Sequence, residues 1–105
     1  MANTFKVKTD AGVTGLATTY TVPGSTTTIV VGMVVGNTTA SGITTSVTLA
    51  NSDGDDVELV TNAPIPVGSS LEVLSGAKVV LEASDAIKVT ASGAADVALS
   101  ILEMT

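Results

Sequence analysis

An all-β domain is what this sequence predicts, and three observations predict it. Apolar residues alternate with polar ones at a period of two in nearly every segment, β-branched residues dominate, and Gly, Pro, Ser, Asn and Asp clusters interrupt the apolar runs at regular spacing. No window carries the i, i+3, i+4, i+7 stripe of an amphipathic helix, so helix content is expected to be close to nil. The specific expectation is a two-sheet antiparallel β-sandwich of about eight or nine short strands, with jelly-roll topology as one arrangement, in preference to a closed barrel. A chain of 105 residues fits one such domain, and the even composition offers no boundary within 1–105.

The elements follow in order. Phe5 and Val7 alternate with Lys6 and Lys8, which predicts the apolar pair on the buried face. The run TTTIVVGMVV, 26–35, does not alternate; it reads as a central strand buried on both faces, with Gly32 marking a bulge or a close backbone approach. Ile43, Val47 and Leu49 share a face opposite Thr44, Ser46 and Thr48, and Val57, Leu59 and Thr61 share one opposite Glu58. Ile87, Val89 and Ala91 alternate with outward Lys88 and Thr90, and Val97, Leu99 and Ile101 alternate with Ala98, Ser100 and Leu102. Turns are expected at 12–15, 23–25, 36–42, 51–56, 62–69, 75–76, 84–85 and 92–93. Within 62–69, Pro64 and Pro66 fix φ on both sides of Ile65. Either they hold Ile65 in a stiff, exposed loop that serves as a contact point, or Ile65 covers the end of the core. On the first reading Ile65→Asp leaves the domain folded and weakens a contact.

Composition removes several function classes. There is no Cys and no His, so neither a disulfide nor a thiolate or imidazole metal site is available. The opening residues lack a signal-peptide pattern, and no apolar run approaches the ~20 residues of a membrane-spanning helix. A soluble, unprocessed chain with no membrane partner is therefore expected. Net charge is −6, the only basic residues are Lys6, Lys8, Lys78 and Lys88, and Phe5 and Tyr20 are the only aromatics. Nucleic acid is not an expected partner, because both the phosphate-neutralising patch and the stacking platform are missing. Charged residues make up 13% of the chain, against about 25% in an ordinary soluble domain, and mean hydropathy is +0.55. So few charges imply that part of the surface is covered by a partner.

The acidic stretch NSDGDD, 51–56, invites a calcium reading but fails it: position 56 holds Asp where an EF-hand loop turns on Gly, and the bidentate Glu would fall at Asn62. Asp53-Gly54 between two alternating segments is a hairpin signal instead. No metal or other cofactor is expected. Without His, Cys or Arg, and without an aromatic-lined cleft, no catalytic constellation stands out, so the chain is not read as an enzyme.

A set of local patterns points further. Tyr20 to Pro23 leads into the Thr-rich β-branched strand through Val35; Asn37-Thr38 closes it; the apolar-Pro-apolar loop 63–67 runs into Gly68-Ser69-Ser70. Gly76-x-Lys78-Val-Val-Leu-Glu82, Asp85-Ala-Ile87-Lys-Val89 and a closing Ser-x-Leu-Glu complete it. Over about residues 16 to 105 this pattern resembles a family of small virion structural proteins of tailed bacteriophages, notably those of cyanobacterial and other aquatic hosts. The resemblance implies a β-sandwich on the virion, most often a capsid decoration or cement protein on the shell exterior, with the major capsid protein and further copies of itself, as a homotrimer, for partners. A tail, neck or fibre module is the alternative. Candidate contact residues are Phe5 and Val7 in the first strand and Ala63, Pro64, Ile65 and Pro66 in the proline loop.

Overall fold

The computed structural model describes residues 3–74 and 78–105. The turn expected at 75–76 lies outside the described residues. Among the described residues there are seven strands: β1 (Asn3–Thr21), β2 (Thr27–Asn37), β3 (Ile43–Ala50), β4 (Val57–Ile65), β5 (Ser70–Glu72), β6 (Val79–Leu81) and β7 (Ala86–Met104). No helix occurs among the described residues, and all pairings are antiparallel.

All seven strands join one hydrogen-bonded sheet, where two separate sheets were expected. β7 organises it. On one side β7 pairs with β1 along nearly its whole length, from Asn3↔Met104 to Thr21↔Ala86. On the other side its first half, from Ala86 to Ala91, pairs with β3, while its second half, from Ala95 to Met104, pairs with β2. The sheet thus forks: one arm carries β3 and β4, the other β2 with β5 and β6.

β1 and β7 are each 19 residues long, which departs from the short strands expected. The clusters read as turns at 12–15 and 92–93 lie inside strands. Gly12 and Gly15 have φ of 65° and 68°, a region open to glycine, and they absorb register shifts between Asp10 and Gly15 as bulges instead of reversing the chain. Opposite them, Gly93 continues the inward-facing series of β7, and a Cβ there would stand 2.8 Å from Ile43 Cγ2. Glycine at 93 therefore lets β3 and its loop close down on the bend.

The bend is large. A straight strand of this length would span about 60 Å, yet the longest extent of the molecule is 45 Å. The two ends of the β1–β7 ribbon curl toward each other until Tyr20, at the end of β1, donates its hydroxyl to Glu103, at the end of β7, over 2.5 Å. The concave face holds a single core drawn from both arms: Val30, Met33, Val35 and Leu81 from one, Ile43, Val47 and Ile65 from the other, and Ile87 to Ile101 beneath both. Burial in β7 alternates from Ile87 to Ser92 and again from Ala95 to Glu103, with Gly93 and Ala94 both half-buried between them, so the odd-numbered face of the strand lines the core.

Two sequence expectations change here. β2 is interior to the sheet but buried on one face only: Val30, Met33 and Val35 are inside, while Val31 and Val34 are exposed, with the register shift between Val30 and Gly32 marking the bulge expected near Gly32. In β4 the alternation is interrupted by shifts opposite Thr45 to Thr48 and by Asn62 at φ 48°, and Val57 and Thr61 are exposed.

Candidate interaction surface

The outer face of the sheet differs sharply between the two arms. Residues opposite each other in antiparallel strands share a face, so the registers can be read across the sheet as rows. In the β1–β7–β2 arm the pairings Phe5↔Leu102, Leu102↔Ile29 and Ile29↔Val80 define an apolar row across four strands. The next outer row is Val7, Ser100 and Gly32, and the one after it is Thr9, Ala98 and Val34. In the other arm the corresponding row is Thr18, Lys88, Thr48 and Glu58, polar from end to end.

Phe5 and Val7 are 76% and 61% exposed. Their register explains why. Lys6 and Lys8 pair with the inward residues Ile101 and Leu99, so it is the lysines that take the core side and the apolar pair that faces out. Lys6 is held there by an ion pair with Glu103, Nζ to Oε1 at 2.8 Å. Glu103 is buried, and its other oxygen accepts the Tyr20 hydroxyl. Since that proton is committed, the Thr28 hydroxyl donates to the Tyr20 oxygen across 2.8 Å. The Lys6 contact and then the Tyr20 bond hold the Glu103 carboxyl below the usual carboxylate range. Burial, reinforced by Glu103, pushes the Tyr20 hydroxyl up to about 12.

Proline-loop residues divide. Pro64 and Pro66 are exposed and Ala63 is half-buried, but Ile65 is 1% exposed, so it belongs to the core and the exposed-loop reading is overturned. The reason is local: residues through Ile65 continue β4, with Ile65 paired to Ile43, and the odd-numbered face that carries Ile43 and Val47 points inward. Asn37 then anchors the chain beyond it. Its Nδ2 donates to the carbonyls of Ser41, Ile65 and Pro66, and its Oδ1 accepts the Thr39 amide and hydroxyl. Gly42, Ile43, Thr44, Pro64, Ile65, Pro66 and Ser92 line an open notch of about 290 Å³ beside this anchor.

The acidic turn is built as a hairpin connection. Asn51 Oδ1 accepts the Asp53 amide, and Ser52 is tied to Asp85 through its amide and its hydroxyl. Among the described residues no three carboxylates converge on a common point.

Sequence reasoning found Phe5 and Val7 as contact candidates but missed Leu102, Ile29, Val31, Val34 and Val80, which complete the patch. A signal was present: 26–35 and 97–102 carry apolar residues on both faces, which one buried face does not require. Comparison of the chain with protein-family models, curated proteins and solved structures gives no match.

Proposed function

We propose that this chain is a structural protein of a phage virion, a capsid decoration protein that binds the assembled shell from outside and stabilises it, with the major capsid protein and other copies of itself as partners. The observation that carries this reading is the apolar outer row of Phe5, Leu102, Ile29 and Val80 on a small β-module whose other arm carries the polar row Thr18, Lys88, Thr48 and Glu58. An uncovered apolar face of this kind marks a protein contact. A rigid module that binds only the assembled lattice stabilises it by mass action. Within this proposal the two arms of the curled sheet act as the two layers of a β-sandwich, and trimers at local three-fold axes are the arrangement that the sequence resemblance implies. The exposed Pro64 and Pro66 and the notch beside them are a second surface open to the shell.

The test is the copy number of this chain relative to the major shell subunit, by quantitative mass spectrometry of purified particles. Hundreds of copies support decoration. A few to a dozen would move the protein to the tail, neck or fibre apparatus, and none would overturn the virion reading.

A further inference from the structure

The turn between β3 and β4 holds a reactive pair. Asp53 is the only aspartate of the chain that is followed by glycine, and no asparagine is. An aspartyl Cγ is open to attack by the amide nitrogen of the next residue, and glycine hinders that approach least because it has no Cβ. Closing the ring also rotates the backbone about the aspartate Cα–C bond, which a paired strand resists and an unpaired turn allows.

Asp53 meets each of these conditions. Residues 52–56 are exposed and lie between the end of β3 at Ala50 and the start of β4 at Val57. Among the described residues no hydrogen bond or ion pair reaches the Asp53 carboxylate. The Gly54 amide, which is the nucleophile, is held only by the Asn51 carbonyl at 3.4 Å, longer than a usual N–H···O bond. Asp53's own amide donates to Asn51 Oδ1 at 3.0 Å, so the turn is pinned before the reacting bond and loose after it.

The other aspartates each lack a condition. Asp85 is buried and accepts the amide and hydroxyl of Ser52 and the amide of Glu82. Asp10 and Asp96 lie within ladders, opposite Val97 and Gly36, and Asp96 also accepts the Gly12 amide. Asp55 is followed by a second carboxylate, and Asp56 by Val57, whose β-branched side chain crowds its amide.

We propose that Asp53 is a site of spontaneous isomerisation, with water as the only co-reactant. Gly54 N bonds to Cγ of the protonated Asp53 carboxyl, whose hydroxyl leaves with the Gly54 amide proton as water, and a five-membered succinimide results. Water then adds to one of the two imide carbonyls and breaks the bond from that carbonyl to Gly54 N. Cleavage at Cγ regenerates aspartate. Cleavage at the former main-chain carbonyl leaves Gly54 joined through Cγ, an isoaspartyl link with composition and charge unchanged. The link adds one methylene to the backbone of the turn. The Asp53 amide bond to Asn51 and the Ser52 bonds to Asp85 precede it, so the added length falls in 54–56, ahead of the Leu49↔Val57 pairing. The chemistry needs neither a virion nor a partner, so the particle copy number does not bear on it.

Purified chain held at physiological temperature and neutral pH for weeks should become a substrate for an isoaspartyl methyltransferase, which labels the freed α-carboxyl from radioactive S-adenosylmethionine. A protease that cuts only before normal aspartate should progressively lose cleavage at the Ser52–Asp53 bond of the denatured chain. Methyl uptake should be lost in Asp53→Glu, where attack would close a less favoured six-membered ring. It should also fall sharply in Gly54→Ala, whose methyl crowds the nucleophile. That methyl would stand 3.2 Å from Asn51 Nδ2, a side-chain end that has room to give, and circular dichroism matching the parent shows that each variant is folded. No uptake in the aged parent, undiminished uptake in Asp53→Glu, or uptake confined to chains that have gained the mass of an asparagine deamidation would overturn the proposal.

Discussion

Tyr20 and Glu103 lie at opposite ends of the β1–β7 ribbon and meet across the concave face, hydroxyl to carboxylate at 2.5 Å. Tyr20 pairs with Ile87 and Glu103 pairs with Thr4, so the contact exists only because the ribbon is curled. The bond thus reports closure of the sheet, and Lys6 and Thr28 complete a network that leaves neither buried oxygen unsatisfied.

Removing the hydroxyl tests this closure. Tyr20→Phe keeps the ring in the core but leaves Glu103 Oε2 and Thr28 without their partner, at an expected cost of about 1–3 kcal/mol. Urea denaturation would measure it, and a change below about 0.5 kcal/mol would show that the contact contributes nothing to closure.

The same groups shape the pH profile. Glu103, through Lys6 and then Tyr20, and Asp85, chiefly through the Ser52 amide, have carboxyls held below their ordinary range. Their contribution is complete above the unfolded carboxylate value of about 4 and is lost as pH falls through the lower folded values. Tyr20 runs the other way: with its folded value pushed up to about 12, its contribution is complete below the unfolded value of about 10 and is lost as pH rises toward the folded one. Urea midpoints measured against pH should hold a plateau between these limbs. An acid limb that persists unchanged in Glu103→Gln combined with Asp85→Asn would refute the assignment.

Gly93 is the hinge of the bend. Gly93→Ala brings a methyl to 2.8 Å from Ile43 Cγ2, so the side chain or the backbone must shift, and should cost about 1–3 kcal/mol. Ile43→Leu on the same chain, which lacks the Cγ2 methyl at a similar volume, should recover part of the loss if that contact is its cause, which thermal unfolding of the three variants would decide.

Asn37 joins the end of β2 to the loop beyond β4. Asn37→Ala removes the side-chain donor to the Ile65 carbonyl and the acceptor of the Thr39 amide and should cost about 1–3 kcal/mol. Hydrogen exchange offers the local readout: amides of residues 38–42 and 67–69 should lose protection before those of β7, and uniform loss would mean that Asn37 does not act as a local clamp.

Ile65→Asp should unfold the domain. It places a carboxylate in a site 1% exposed to solvent, with no cation there, at a cost of about 4 kcal/mol or more. A folded Ile65→Asp variant, by circular dichroism, would return Ile65 to the surface. Val67→Asp, at an exposed position beside it, should leave stability within about 0.5 kcal/mol.

How much of this was legible varies by element. The inward series Ile87, Val89, Ala91 and Val97, Leu99, Ile101 and the outward Lys88 and Thr90 were readable, because a period of two is a property of the chain itself. The long strands were not. Gly12, Gly15 and Gly93 have the composition of turns, and only the partner strand decides whether such a residue reverses the chain or bends it. The interaction face was half legible: Phe5 and Val7 stood out, but Leu102, Ile29 and Val80 became their neighbours only through the register of four strands.

Local chemistry along the sequence determined the β class, the absence of helix among the described residues and the identity of most core positions, since backbone preference and alternation act over a few residues. Tertiary structure decided the number of strands, the single forked sheet, the burial of Ile65 and the outward turn of Phe5 and Val7. Each of these depends on which distant strand pairs with which. A shift of one residue in that pairing would exchange the inner face for the outer.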